Sequence, residues 1–134
     1  MKKLLIGLSL IISQFSFGQS YYFECEDAYA ATMKFEIHAD RNVIEFSDIS
    51  YFRDAQILKD LPFGMKKTSI MENGSKMDLI DFSYDWYYTA DYTLKFSKQV
   101  HEYQVNEVTF LYLTFDDHDG ASVENLIFKC TRIR

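Results

Sequence analysis

Between residues 32 and 39 apolar and polar side chains alternate without a break: Met33, Phe35, Ile37 and Ala39 against Thr32, Lys34, Glu36 and His38. A period of two is the mark of a half-buried β-strand. Residues 43–49 place Ile44 and Phe46 on one face, and the intervening Asp40-Arg41-Asn42 suits a tight turn, since Asn tolerates the left-handed conformation. The two runs predict a hairpin.

Residues 50–61 break this period. Tyr51, Ala55, Leu58 and Leu61 recur at intervals of three and four, Ser50 can cap a first turn, and Pro62 and Gly64 follow as stops. One short helix is expected there. Residues 67–82 then enclose Asn73-Gly74, the residue pair best suited to a type I′ hairpin turn. That tip sets Ile70 opposite Met77 and Thr68 opposite Leu79, with Ser69 and Asp78 on the other face.

Residues 86–96 carry Tyr88, Ala90, Tyr92, Leu94 and Phe96 on one side. Residues 100–105 read as a further short strand. Residues 108–115 are apolar on both faces, Phe110 and Tyr112 against Leu111, Leu113 and Phe115, so this strand is expected to be covered on both sides. Residues 122–133 close the chain with Leu126, Phe128 and Cys130 in phase. Adding a short strand at 21–26, the pattern gives an all-β domain of about nine antiparallel strands and one short helix. A small closed barrel is favoured over a sandwich because closure removes exposed sheet edges.

The first eighteen residues follow a different rule. Lys2 and Lys3 precede an apolar run from Leu4 to Ile12, and Ser16 and Gly18 are small residues at the right spacing for cleavage. This is the pattern of a secretory signal peptide, too short to span a bilayer core of about 30 Å. The division expected is therefore 1–18 signal peptide and 19–134 a single β domain, periplasmic or extracellular. Loss of Lys2 and Lys3 moves the formal charge from -6 to -8. An acidic chain with no cluster of Lys and Arg excludes nucleic acid and anionic membrane surfaces as main partners. Export also delivers Cys25 and Cys130 to a compartment where disulfides persist, and one bridge between them is expected.

Candidate chemistry is sparse. Asp116 to Gly120 is acidic, yet aligning Gly120 with the sixth position of an EF-hand loop puts Phe115 first and Leu126 twelfth, so the segment reads as a solvated turn. His38, His101 and His118 are dispersed, without metal-ligand spacing. No nucleophile motif is present, and the carboxylate pairs near Asp81 are what twenty acids produce by chance. No metal, no cofactor and no catalytic residue are expected, and the domain reads as non-enzymatic. Aromatics crowd around residues 82–92, interspersed with acids, and alternation keeps half of these rings out of a common core. Tyr84, Asp85, Trp86, Tyr87 and Asp91 are therefore the expected partner-binding residues, the flat rings suiting a protein partner or a sugar.

The start Tyr22-Phe23-Glu24-Cys25 behind a signal peptide, with a second Cys near the end of a small β domain, resembles the periplasmic lysozyme inhibitors of the membrane-bound C-type class. The resemblance covers only the ends of the chain. That family's Ser-Gly-x-x-Tyr loop is absent, and no residue role is carried over. Two functions remain in view. One is a non-catalytic exported domain, inhibitor- or immunity-like, that binds a protein partner, with the negative charge steering a basic one. The alternative is a carrier that holds a small apolar ligand inside the barrel, lined by Met33, Phe35, Tyr88, Tyr92 and Phe96.

Overall fold

The computed structural model describes residues 19–49, 62–85, 89–116 and 122–134. Eight strands run in chain order: β1 Ser20–Glu26, β2 Thr32–His38, β3 Val43–Ile49, β4 Pro62–Glu72, β5 Ser75–Asp85, β6 Thr89–Lys95, β7 Val108–Asp116 and β8 Ser122–Arg132. Each pairs antiparallel with the next, and β1 pairs with β8, so the sheet closes into a barrel.

The alternation that predicts the strands also decides which side chains point inward. Phe23, Met33, Phe35, Ile37, Ile44, Phe46, Ile80, Phe82, Tyr92, Leu94, Leu111, Leu113 and Phe128 are all buried. In β3 the phase changes. The pairing slips between Lys34 and Phe35, which leaves Ser47 as an extra, exposed residue, so Phe46 and Ile49 both face the core.

The turns follow their residues. Asn42 adopts φ 52°, and Asn73 and Gly74 adopt φ 52° and 79°. The expected register of that hairpin is found, with Ile70 opposite Met77, Thr68 opposite Leu79 and Ser69 opposite Asp78. Its polar face is the one aligned with the core, because Asp78 lies in phase with Ile80 and Phe82.

Residues 100–105 differ from the expectation. They form no strand; Val100–Glu102 is a 3-10 turn in the long β6–β7 connection. The reason lies in Asp78, whose carboxylate is fully buried and accepts the Val100 N–H at 2.8 Å and the Ser69 hydroxyl at 2.7 Å. Three residues on, Tyr103 turns into the barrel end, where its hydroxyl accepts the Ser97 N–H and lies 2.9 Å from Ser97 Oγ. The chain therefore buries Val100 and Tyr103 at a spacing that a strand cannot supply. Barrel closure thus needs eight strands rather than nine. The helix expected over 50–61 lies outside the described residues.

The seam between β1 and β8 carries the disulfide. Cys25 and Cys130 are register partners with Cα atoms 4.0 Å apart, and their sulfurs are bonded. Tyr22 and the chain end extend the seam through Tyr22 N–H to Arg134 C=O and Ile133 N–H to Tyr22 C=O, both 2.8 Å.

Candidate functional site

Whether this barrel can act from its inside or its outside depends on what fills it. From Phe115 near the β7–β8 turn, rings succeed one another through Tyr92, Phe82, Phe46, Phe35 and Phe23 to Tyr103 at the opposite end, with neighbouring centroids 5.0–5.8 Å apart. Those are contact distances for aromatic pairs. Met33, Phe35, Tyr92 and Phe96, expected to line a cavity, are buried against this series or part of it; Tyr88 lies outside the described residues.

The outside is less uniform. On β7 the outward residues are Val108, Phe110 and Tyr112, and across the ladder Tyr112 faces Ile127 of β8. Their exposures are 52%, 55%, 36% and 52% in the order Val108, Phe110, Tyr112, Ile127, so among the described residues nothing covers this side of the strand. This overturns the expectation that β7 is covered on both faces. An apolar stripe is left on the barrel wall, with Phe110 at its centre.

Polar groups border the stripe. Lys129 stands opposite Phe110, and Lys95 opposite Tyr112, where it pairs with Glu72 at 2.7 Å. Beyond Val108, an open groove of about 400 Å³ crosses β8, β1 and β2, lined by Glu24, Glu26, Lys34, Lys129 and Thr131 among others. At the other end three carboxylates gather. Asp91 and Asp116 are register partners across β6 and β7, and Asp81 is one ladder pair away, opposite Thr93. Asp81 accepts the Thr93 hydroxyl and Asp91 the Ser83 hydroxyl, each at 2.6 Å.

Of the residues expected to bind a partner, Asp91 is exposed and belongs to this acidic end. Tyr84 and Asp85 end β5, opposite Ala90 and Thr89. Trp86 and Tyr87 lie outside the described residues, as do most of the turn at Asp116 to Gly120 and His118. His38 is half-buried on the wall, its Nδ1 3.0 Å from Ser20 Oγ and its Nε2 3.4 Å from Glu45. His101 is exposed in the 3-10 turn. Among the described residues no group of three or more His, Cys, Asp or Glu could hold a metal ion, and no helix is long and apolar enough to cross a membrane.

Sequence reasoning missed two features. The β7 part of the stripe shows in the sequence as a two-faced apolar strand, which reads as doubly buried, and Ile127 on β8 carries no signal of its own there. Tyr29 is the other. Its ring is almost wholly exposed on the β1–β2 turn, which the Asp27 carboxylate holds by accepting the N–H groups of Tyr29 and Ala31 at 2.8 Å each. Ala30 there adopts φ 64°, a conformation that costs about 1 kcal/mol or more in a non-glycine residue. No protein-family model, curated protein or solved structure matches this chain.

Proposed function

We propose that this protein is a non-catalytic, exported binding domain that docks a basic protein through the outer face of β6, β7 and β8. The observation that carries this reading is the exposed stripe of Val108, Phe110, Tyr112 and Ile127 on a barrel whose interior is occupied by its own rings. Apolar stripe and acidic end together fit a partner that presents an apolar anchor beside Lys or Arg. The formal charge favours the same partner by long-range steering. Asp91 sits at the rim of this face, and Tyr84 and Asp85 end β5 beside it; Trp86 and Tyr87, which follow them in sequence, complete the proposed set. Export is supported by the pattern of residues 1–18 and by the Cys25–Cys130 bridge. An inhibitor- or immunity-type role is the form of binding that such a small domain suits. Continuous ring packing argues against the carrier alternative.

The test is a titration of the partner captured from the exported fraction, with Phe110→Asp and Glu36→Gln compared at matched thermal stability. Phe110 is central and large, so its replacement is expected to weaken binding by about 2 kcal/mol or more, as for an interface hot spot. Glu36→Gln, on the β2 wall, reports what a change of one unit of charge away from the stripe does by long-range steering alone. Equal weakening by both variants, or none by Phe110→Asp, would remove the stripe as the docking face.

A further inference from the structure

Strand β4 is paired along only part of its length. On one side it pairs with β5 from Met65 to Glu72, but on the other β3 reaches only from Pro62 to Gly64. Beyond Gly64, among the described residues, no strand lies against this second edge. The hairpin of β4 and β5 therefore projects past the β2–β3 turn, backed by β6 as far as Leu79 and two-stranded towards its tip. Of the two strand ends that flank residues 50–61, Ile49 lies opposite Met33 at the far end of β3, and Pro62 stands opposite Glu45.

Two hydrogen bonds show which backbone groups of β4 point to the open edge. Met65 N–H donates to Asn42 C=O at 2.9 Å, towards β3. Asp78 turns its N–H and C=O away from β4, to Lys98 C=O and Phe96 N–H, so its partner Ser69 does not share the β5 ladder. By alternation Lys67, Ser69 and Met71 direct their N–H and C=O groups outward, while Lys66, Thr68, Ile70 and Glu72 bond to β5.

We propose that this edge pairs antiparallel with the same edge of a second copy, on a twofold axis at Ser69. The edge is complementary to itself in both charge and hydrogen bonding. Centring on Ser69 sets Lys66 opposite Glu72 of the second copy, twice by symmetry, and Thr68 opposite Ile70. Lys67 meets Met71, a side chain 67% exposed in the single chain. The same register brings the outward residues together: Ser69 with Ser69, and Lys67 with Met71, are the pairs that exchange backbone hydrogen bonds. A shift of one residue would oppose inward-bonded groups, and a shift of two would separate Lys66 from Glu72. Edge lysines normally deter strand addition. Here Lys66 deters every partner except one that presents a carboxylate at the matching position, which this strand does through Glu72, half-exposed beside Lys95 of its own chain. The two barrels then stand at opposite ends of a four-stranded ribbon, leaving β7 and β8 of each free.

The test is sedimentation equilibrium of the disulfide-bonded protein up to about 1 mM, a range suited to an interface at the small end of specific contacts. A monomer–dimer equilibrium is expected. Met71→Pro removes an outward N–H without touching the β5 ladder and should weaken dimerisation at least about tenfold. Lys66→Glu should weaken it comparably, and adding Glu72→Lys together with Lys95→Glu should restore it, because the pair across the axis and the intrachain Lys95–Glu72 pair are then both reversed rather than lost. If Met71→Pro does not fold, Lys67→Pro tests the same edge. A monomer throughout, a dimer insensitive to Met71→Pro, or no rescue by the triple reversal would each overturn the proposal. Self-association lost instead in Phe110→Asp would do so too, placing it on the β7 stripe.

Discussion

At the scale of single residues, titration separates what burial does from what charge does. Tyr21 points inward beside the β1–β8 seam, and burial raises its phenol above the ordinary value of 10.0. Arg132, whose guanidinium lies 4.9 Å from the ring centroid, pulls the other way but does not cancel the effect. In the unfolded chain the phenol ionises first, so its contribution to stability is complete below pH 10 and is lost as pH rises through the folded value. Denaturant melts of wild type and Tyr21→Phe should therefore differ by a constant amount at neutral pH. Above pH 10 the wild type should lose ground to the variant; parallel curves to pH 12 would contradict this assignment. Inward placement of Tyr21 was legible from alternation with Phe23 and Cys25. Its contact with Arg132 was not, because the contact arises only when the last strand returns to the first.

Among the elements, the β4–β5 ribbon and the 3-10 turn depend on one carboxylate. Asp78 joins Ser69 on β4 to Val100 in the β6–β7 connection from a fully buried position. Asp78→Ala should cost about 2–4 kcal/mol, since it orphans a buried N–H and a hydroxyl together. Asp78→Asn, which keeps one acceptor, should cost less. Urea melts measure both, and equal losses would show that the carboxylate's acceptors do not matter individually. The sequence shows Ser69 and Asp78 on one face by the Asn73-Gly74 register alone. It does not show that this face aligns with the core, because Ile70, Met77 and Leu79 make the other face look like the buried one. The same carboxylate explains why residues 100–105 resemble a strand in sequence and are not one in structure. β7 misleads in the opposite sense, since apolar residues on both faces signal double burial only when a second layer exists.

For the molecule as a whole, the account is of a barrel closed by a covalent seam and filled by aromatics. The bridge joins residues 105 apart in sequence, so in the chain-entropy picture it constrains most of the unfolded chain. Replacing both cysteines by Ser should cost about 2–5 kcal/mol, read as a fall in the thermal or urea midpoint. A midpoint within error of wild type would show that the β1–β8 ladder closes the barrel unaided. The antiparallel barrel was legible because turn residues join most successive strands closely and closure removes the exposed edges. The docking face was legible only as composition, since deciding that Phe110 faces solvent requires knowing that nothing packs outside β7.

The central claim, recognition on the outer wall and not inside, is tested most directly by pairing one change on each side of the sheet. Phe110→Asp alters the stripe and Phe35→Leu the interior, and both are titrated against the partner and against an environment-sensitive apolar dye below their melting temperatures. The account predicts partner binding lost in Phe110→Asp and kept in Phe35→Leu, with no saturable dye uptake by the wild type. Saturable uptake by the wild type that Phe35→Leu alters and Phe110→Asp leaves intact would contradict it.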